Sequence, residues 1–117
     1  MINEIFFDEP MSGDFESDAI ELFRNNLSEE KILQSASSLA LFWSECIGTL
    51  DGEIIIYSSI DSENWSLADN FIIETASNSD DIMIYLIDPY IKYVKIKYIK
   101  NGITAGKFSA SISITGV

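Results

Sequence analysis

Apolar residues in this chain recur mostly at every second position, and the stretches where they do so are separated by clusters of Gly, Asn, Asp, Ser and Pro. That period belongs to strands with one buried face. The clearest case lies near the C-terminus, where Phe108, Ala110, Ile112 and Ile114 alternate with Ser109, Ser111, Ser113 and Thr115. One side of this strand is apolar and the other must be wet. Just before it, Val94, Ile96 and Tyr98 share one face while Lys95 and Lys97 share the other, and Asn101-Gly102 marks the intervening turn. Residues 52–65 hold the central strand, with Ile54 and Ile56 on one face. It ends in Asp61-Ser62-Glu63-Asn64, side chains that bond their own backbone, and Trp65 then reads as a plug that packs the turn onto the core. The expected sheet partners of this strand are residues 93–98 and 107–115.

Residues 2–7 have the content of a short strand, broken by Pro10-Met11-Ser12-Gly13. Residues 18–24 alternate, with Ile20 and Leu22 on one face and Glu21 on the other. Residues 27–46 admit two readings. Ser28 followed by Glu29 and Glu30 suits a helix start with a stripe of Ile32, Ala36, Leu39, Ala40 and Trp43. Ser35, Ser37 and Ser38 are poor inside a helix, however, and Leu39-Ala40-Leu41-Phe42-Trp43 suits a buried strand. The favoured reading is a helical turn or loop up to Ser37, then a strand over 38–46. Residues 48–52 form a tight connection, 66–70 a loop, 71–75 a strand and 77–81 a polar turn. Residues 82–87 (Ile-Met-Ile-Tyr-Leu-Ile) are apolar on both faces, as in a central strand covered on each side. The sum is an all-β chain: a single antiparallel β-sandwich domain over residues 1–117, jelly-roll-like, with seven or eight strands and at most one short helix around 28–37.

Composition agrees. With 117 residues and 47% apolar content, the chain is one domain's worth and is not of disordered type. No apolar run reaches the 18 residues of a membrane span, and the N-terminus lacks the basic start and apolar run of a signal peptide. The product is therefore expected to stay in the cell that makes it, or to leave by lysis. Cys46 is the single cysteine, which excludes an intramolecular disulfide and reads as a buried small hydrophobe rather than a reactive thiol. There is no histidine, and with it go the usual general base, zinc ligand and proton switch. Net charge is -12, split unevenly: residues 1–88 hold all 19 acids with only Arg24 and Lys31, whereas residues 89–117 hold five lysines and no acid. Such a chain repels nucleic-acid phosphate, so neither nucleic acid nor membrane is expected as a partner. The lysines either pair with acidic neighbours in the sheet, or Lys92, Lys95, Lys97, Lys100 and Lys107 form a patch that meets the acidic flank of another subunit.

Candidate chemistry is sparse. Gly102-Ile103-Thr104-Ala105-Gly106-Lys107 falls short of a phosphate loop, because its glycines are one residue too close and Phe108 stands where Ser or Thr would hold magnesium. Asp61, Glu63, Asp80 and Asp81 could ligate calcium only if the fold gathered them, since they lack the Asp-x-Asp-x-Asp-Gly spacing. A pair of them could cleave glycosides in principle, but nothing marks one as a proton donor. Serine nucleophiles have no base beside them except lysines on a regular strand. No catalytic residue, metal or cofactor is expected, and the chain does not read as an enzyme. The tryptophans and tyrosines leave a sugar-binding platform open.

Three pieces in order carry a resemblance: Gly52-x-Ile54-x-Ile56-x-x-Ser59-x-Asp61-x-x-x-Trp65, then Tyr93-Val94-Lys95-Ile96-Lys97-Tyr98, then Gly106-x-Phe108-x-Ala110-x-Ile112. Over roughly residues 48–116 the chain resembles small β-sandwich virion proteins of tailed bacteriophages. It departs from that pattern at Ser62, where the turn usually has glycine, and at Lys95, where arginine is frequent. The resemblance implies structural roles for Gly52, Ser59, Asp61, Trp65, Tyr93, Val94, Ile96, Gly106 and Ala110. It also implies a non-enzymatic subunit of a virion, of capsid-decoration, head-fibre or tail-associated type, assembled in the host cytoplasm and docking onto other virion proteins. Apolar side chains on what should be second faces, Ile55 with Tyr57, and Met83 with Tyr85 and Ile87, fit an assembling homo-oligomer. Ile55, Tyr57, Lys95 and Lys97 are the candidate interface. The alternative reading is a carbohydrate-binding module that holds a surface glycan in host adhesion.

Overall fold

A computed structural model of the chain describes residues 2–22, 28–34, 36–48, 52–72 and 81–115. In chain order its elements are β1 (Ile2–Pro10), β2 (Phe15–Glu16), β3 (Ile20–Glu21), α1 (Glu29–Gln34), β4 (Ala36–Gly48), β5 (Glu53–Ser59), β6 (Ser66–Ile72), β7 (Asp81–Ile87), β8 (Tyr93–Ile99) and β9 (Ile103–Thr115). They form two antiparallel sheets. One has the order β1-β9-β4-β7, and the other β2-β8-β5-β6 with β3 also on β8. The fold is thus an all-β sandwich.

Alternation decides which faces meet. In the first sheet Leu39, Leu41 and Trp43 stand opposite Ile112, Ala110 and Phe108, and all six are buried. In the second, Ile54 and Ile56 stand opposite Tyr98 and Ile96, again buried. These inner faces pack on each other, and each large aliphatic side chain so buried contributes about 1.5–3 kcal/mol. An aromatic group joins the sheets across one side of the sandwich. The Phe15 ring lies 4.9 Å from Phe6, 4.9 Å from Tyr98 and 5.5 Å from Phe108. The Tyr98 hydroxyl, wholly buried, donates to the Met11 carbonyl oxygen at 3.1 Å. Between β2 and β3, Ser17 keeps the chain on β8: its N–H donates to the Ile96 carbonyl at 2.8 Å and its Oγ accepts from the Ile96 N–H at 2.9 Å.

Several expectations need correction. The central strand β5 has β8 on one side but β6 on the other, and residues 107–115 belong to the opposite sheet. Residues 66–70, expected as a loop, pair with β5. Their polar composition reflects an edge strand whose side chains are largely exposed, so no burial writes an alternation into them. The strand placed at 71–75 is the end of this β6 as far as Ile72; residues 73–75, like 77–80 of the expected turn, lie outside the described residues. Most consequentially, β7 is not central but ends its sheet. Its inward residues include Tyr85 and Ile87, while Leu86 points out at 78% exposure, so the second-face set expected in this strand is inverted. The side chain of Met83 lies outside the description.

Smaller differences have local causes. The helix stops at Gln34 and β4 starts at Ala36, two residues before the expected start, with the Ser28 Oγ accepting from the Lys31 N–H at 3.3 Å as a cap. β1 continues to Pro10 through Asp8, whose φ of 48° marks an irregular edge with two register shifts. Only Ile20 and Glu21 of the expected 18–24 strand pair with β8, and the Leu22 N–H then bonds the Lys92 carbonyl at 3.0 Å; residues 23 and 24 lie outside the description, as do 49–51 of the tight connection.

Candidate interaction surfaces

Because Ile54 and Ile56 of β5 and Val94 and Ile96 of β8 face inward, their odd neighbours face out. In register, Ile55 stands opposite Lys97, Tyr57 opposite Lys95 and Ser59 opposite Tyr93. The structure therefore brings Ile55, Tyr57, Lys95 and Lys97 onto one outer face. Ile55, between Lys97 on β8 and Asn70 on β6, keeps only 8% exposure even there. The Lys95 ammonium lies 4.5 Å from the Trp65 ring centre and 5.5 Å from that of Tyr57, and 3.2 Å from Glu16 Oε1. Trp65 is thus on the outside of the second sheet, not a plug over the core. A large aromatic after a turn reads as a plug by default, but the cation opposite Tyr57 gives it a partner outside. The ring faces turned to Lys95 are occupied by the protein itself.

The five lysines do not make one patch. Lys107 is on the outer face of the first sheet, 2.8 Å from Glu45 Oε2, which a bulge in β4 and a φ of 54° at Glu45 bring alongside. Hydrogen bonding and charge from Glu45, with further charge from Asp8, raise the Lys107 pKa. Lys95 with Glu16 and Lys107 with Glu45 follow the reading in which the lysines pair within the sheets.

The turn after β5 is tied by two side chains. Ser59 Oγ accepts from the N–H groups of Asp61 (3.2 Å) and Ser62 (2.9 Å) and donates to Asp61 Oδ1 at 2.9 Å. Asp61 Oδ1 accepts from the N–H groups of Glu63 and Asn64, both at 2.9 Å, and Oδ2 from Asn64 Nδ2 at 2.8 Å. These bonds, those of Asn64 foremost, hold the Asp61 carboxyl well below the usual carboxylate range. Ser62 has φ of 63°, a left-handed conformation that accounts for glycine at this place in the resembling pattern. With its oxygens bound to the turn, Asp61 serves the backbone. Asp81 opens β7 in the other sheet, Asp80 lies outside the description, and among the described residues no group of three acids or cysteines is placed to hold a metal.

The other motif residues also have structural positions. A Cβ at Gly52 would meet the Tyr98 ring at 2.8 Å, and one at Gly106 would meet Cys46 Sγ and Met11 Sδ at 3.1 Å. Val94, Ile96 and Ala110 are buried, and Cys46 is half-buried against the core, beside Met11. Tyr93 lies on the outer face opposite Ser59.

The outer face of the first sheet was not anticipated. Ala40, Ser109 and Ser111 form a low floor between Phe7 (70% exposed) and Phe42 (40% exposed), leaving a shallow groove of about 250 Å³. Leu86 stands on the same face beside Ser38. The signal was in the sequence: Phe42 has the serine parity of β4, and Leu86 is out of phase with Tyr85 and Ile87. Two openings also lie where the sheets part. One of about 400 Å³ lies between β1 and the β2–β3 segment, with Glu4, Glu16 and Asp18 at its rim. The other, about 230 Å³, lies between β6 and β7, where burial, with the charges of Asp69 and Asp88, raises the Tyr85 pKa.

No protein-family model matches the chain, and no curated protein does. Among solved structures it is similar to the crystal structure of the Yersinia pseudotuberculosis-derived mitogen, at 12% identity and a TM-score of 0.40, over 98% of this chain and 81% of that one. A likeness of that order says nothing of function.

Proposed function

We propose that this chain is a non-enzymatic structural subunit of a tailed-phage virion, a capsid-decoration or head- or tail-associated protein that acts through protein–protein contacts and repeats as a homo-oligomer. The observation that carries the reading is the exposure of large apolar side chains on both sides of the sandwich. Phe7, Phe42 and Leu86 stand on the first sheet and Leu67 (60% exposed) on β6 of the second. Side chains of this size on an otherwise strongly acidic surface suit contact with other protein subunits. The resemblance over residues 48–116 supplies the virion setting. The test is to express the chain with its neighbouring genes and separate assembled particles on a gradient. Stoichiometric recovery in the particle band is expected; recovery in the soluble fraction alone overturns the reading.

A second reading, a carbohydrate-binding module, draws on Tyr57 and Trp65 sharing one outer face. A glycan array decides for it if a specific sugar binds and Trp65→Ala abolishes that binding.

A further inference from the structure

The four sheet edges are not alike. An edge strand carries main-chain donors and acceptors on its far side and invites pairing unless bulges, charges, proline or brevity blunt it. β1 is blunted by two register shifts, by Asp8 at positive φ, by Glu4 and Glu9, and by Pro10 at its end. β2 and β3 are two residues each, parted by residues 17–19. β6 has a register shift at Ala68 and carries Asp69 and Asn70. β7 has none of these. It pairs with β4 through seven successive residues without a shift, and residues 82–87 contain no charge, no proline and no glycine. Among the described residues no strand lies beyond it. Its sequence is that of a strand covered on both sides, yet its place is an edge with Leu86 outward.

We propose that β7 is the strand through which two copies of this chain join, antiparallel and edge to edge, about a two-fold axis at Ile84. The inference deepens the structural-subunit reading and rests on it for its biological setting. The strand is self-complementary in that register: position 82 falls opposite 86 of the second copy and 83 opposite 85, so each cross-strand pair joins apolar or aromatic residues. The one charged residue, Asp81, falls opposite Ile87. The two Asp81 residues are then a strand length apart, about 20 Å, beyond the roughly 8–10 Å over which salt screens charges. Charge also selects this edge. With a net charge of -12 two copies repel, and the other edges meet any neighbour with Glu4 and Glu9, Glu16 and Glu21, or Asp69. Across residues 82–87 themselves no carboxylates are apposed; in this register the flanking acids, Asp80 and Asp81 of one copy and Asp88 of the other, meet only at the two ends of the ladder. The product is one eight-stranded sheet in the order β1-β9-β4-β7-β7-β4-β9-β1, with Leu86 and Phe42 of both copies on a continuous outer face.

The test uses the whole chain. Light scattering over a wide concentration range is expected to give a dimer, and hydrogen exchange to show β7 amides more protected at high concentration than at low. Leu86→Lys, at a site exposed in the single copy, is expected to raise the dissociation constant about tenfold or more through its two symmetric cross-strand positions, with β4 and β9 protection unchanged. Leu67→Lys, at another exposed leucine, on β6, is expected to leave the dimer intact. A wild-type chain that stays monomeric at every concentration overturns the proposal, as does a dimer that Leu67→Lys dissociates and Leu86→Lys does not, or one whose β7 exchange ignores concentration. A particle-bound monomer would refute the pairing and leave the subunit reading standing. A β7 dimer absent from particles would do the reverse.

Discussion

Replacing Gly52 by alanine tests whether the start of β5 is glycine for its backbone or for the space above it. Gly48 is a glycine with positive φ (99°), but Gly52 is not, so its conformation suits alanine. On that ground alone Gly52→Ala would stabilise by about 0.4–1 kcal/mol through the unfolded chain. Against this, the new Cβ would lie 2.8 Å from Tyr98 Cε1 and 3.0 Å from its Oη. Tyr98 cannot swing aside, because it is wholly buried, its ring stacks 4.9 Å from Phe15, and its hydroxyl is bonded to the Met11 carbonyl. Overpacking of this type costs about 1–3 kcal/mol, so the net expectation is a loss of about 1–2 kcal/mol. For a chain of this length that is about 4–8 °C in Tm. Tyr98→Phe, which leaves the Met11 carbonyl without this donor, should cost about 1 kcal/mol. The two changes share the hydroxyl. In the phenylalanine background Gly52→Ala meets one fewer atom and has no hydrogen bond to misplace, so the double variant should lose about 0.5–1 kcal/mol less than the sum. Urea unfolding of the four proteins, followed by far-UV circular dichroism, measures the cycle. A Gly52→Ala variant as stable as the parent, or a cost undiminished by Tyr98→Phe, would refute the steric account.

Three further outcomes follow from the surfaces and turns. Lys95→Gln removes a partly exposed ion pair and two ring contacts, and should cost about 0.5–1 kcal/mol at low salt; molar salt should shrink the ion-pair share of that difference, and a salt-independent cost would place it in the rings alone. Asp61 has a folded-state pKa below its ordinary 3.8, so the unfolded chain binds the extra proton first. Its contribution is complete above about pH 4 and is lost as the pH falls below that value, so the stability gap between the wild type and Asp61→Asn should narrow between neutral pH and about pH 3. A gap that widens on acidification reverses the sign and defeats the assignment. Gly48→Ala combines positive φ with a Cβ driven into the Gly102 carbonyl oxygen and should cost about 2–3 kcal/mol, whereas Gly13→Ala, with nothing within 4 Å, should stay within about 0.5 kcal/mol of the parent. Thermal melts of the pair suffice, and equal losses would remove the distinction.

What the sequence discloses about such a fold is which face each residue takes, and only where the two faces differ. β8 and β9 were legible because lysine and serine stand against isoleucine, valine and phenylalanine, so burial leaves a period-two trace. The same trace says nothing of neighbours, which is why the sequence makes β9 a partner of β5 when it belongs to the opposite sheet. An edge strand such as β6, with Ser66, Leu67, Ala68 and Asn70 all exposed, leaves no trace and reads as a loop. Met11 and Phe15 were hidden for a related reason. They sit in and just after a turn, yet Met11 receives the Tyr98 hydroxyl and Phe15 fills the gap between the sheets, roles set by the opposite sheet rather than by local spacing. β7 fails in the contrary direction: six apolar residues in succession suggest cover on both sides, and the single sandwich covers one. Continuing the sheet into the second copy proposed above gives β7 the neighbour that its edge lacks, and sets its outer face, with Leu86, beside the same face of that copy. In that proposed pairing, the residues that obscure its place in one chain are those along which the two chains meet.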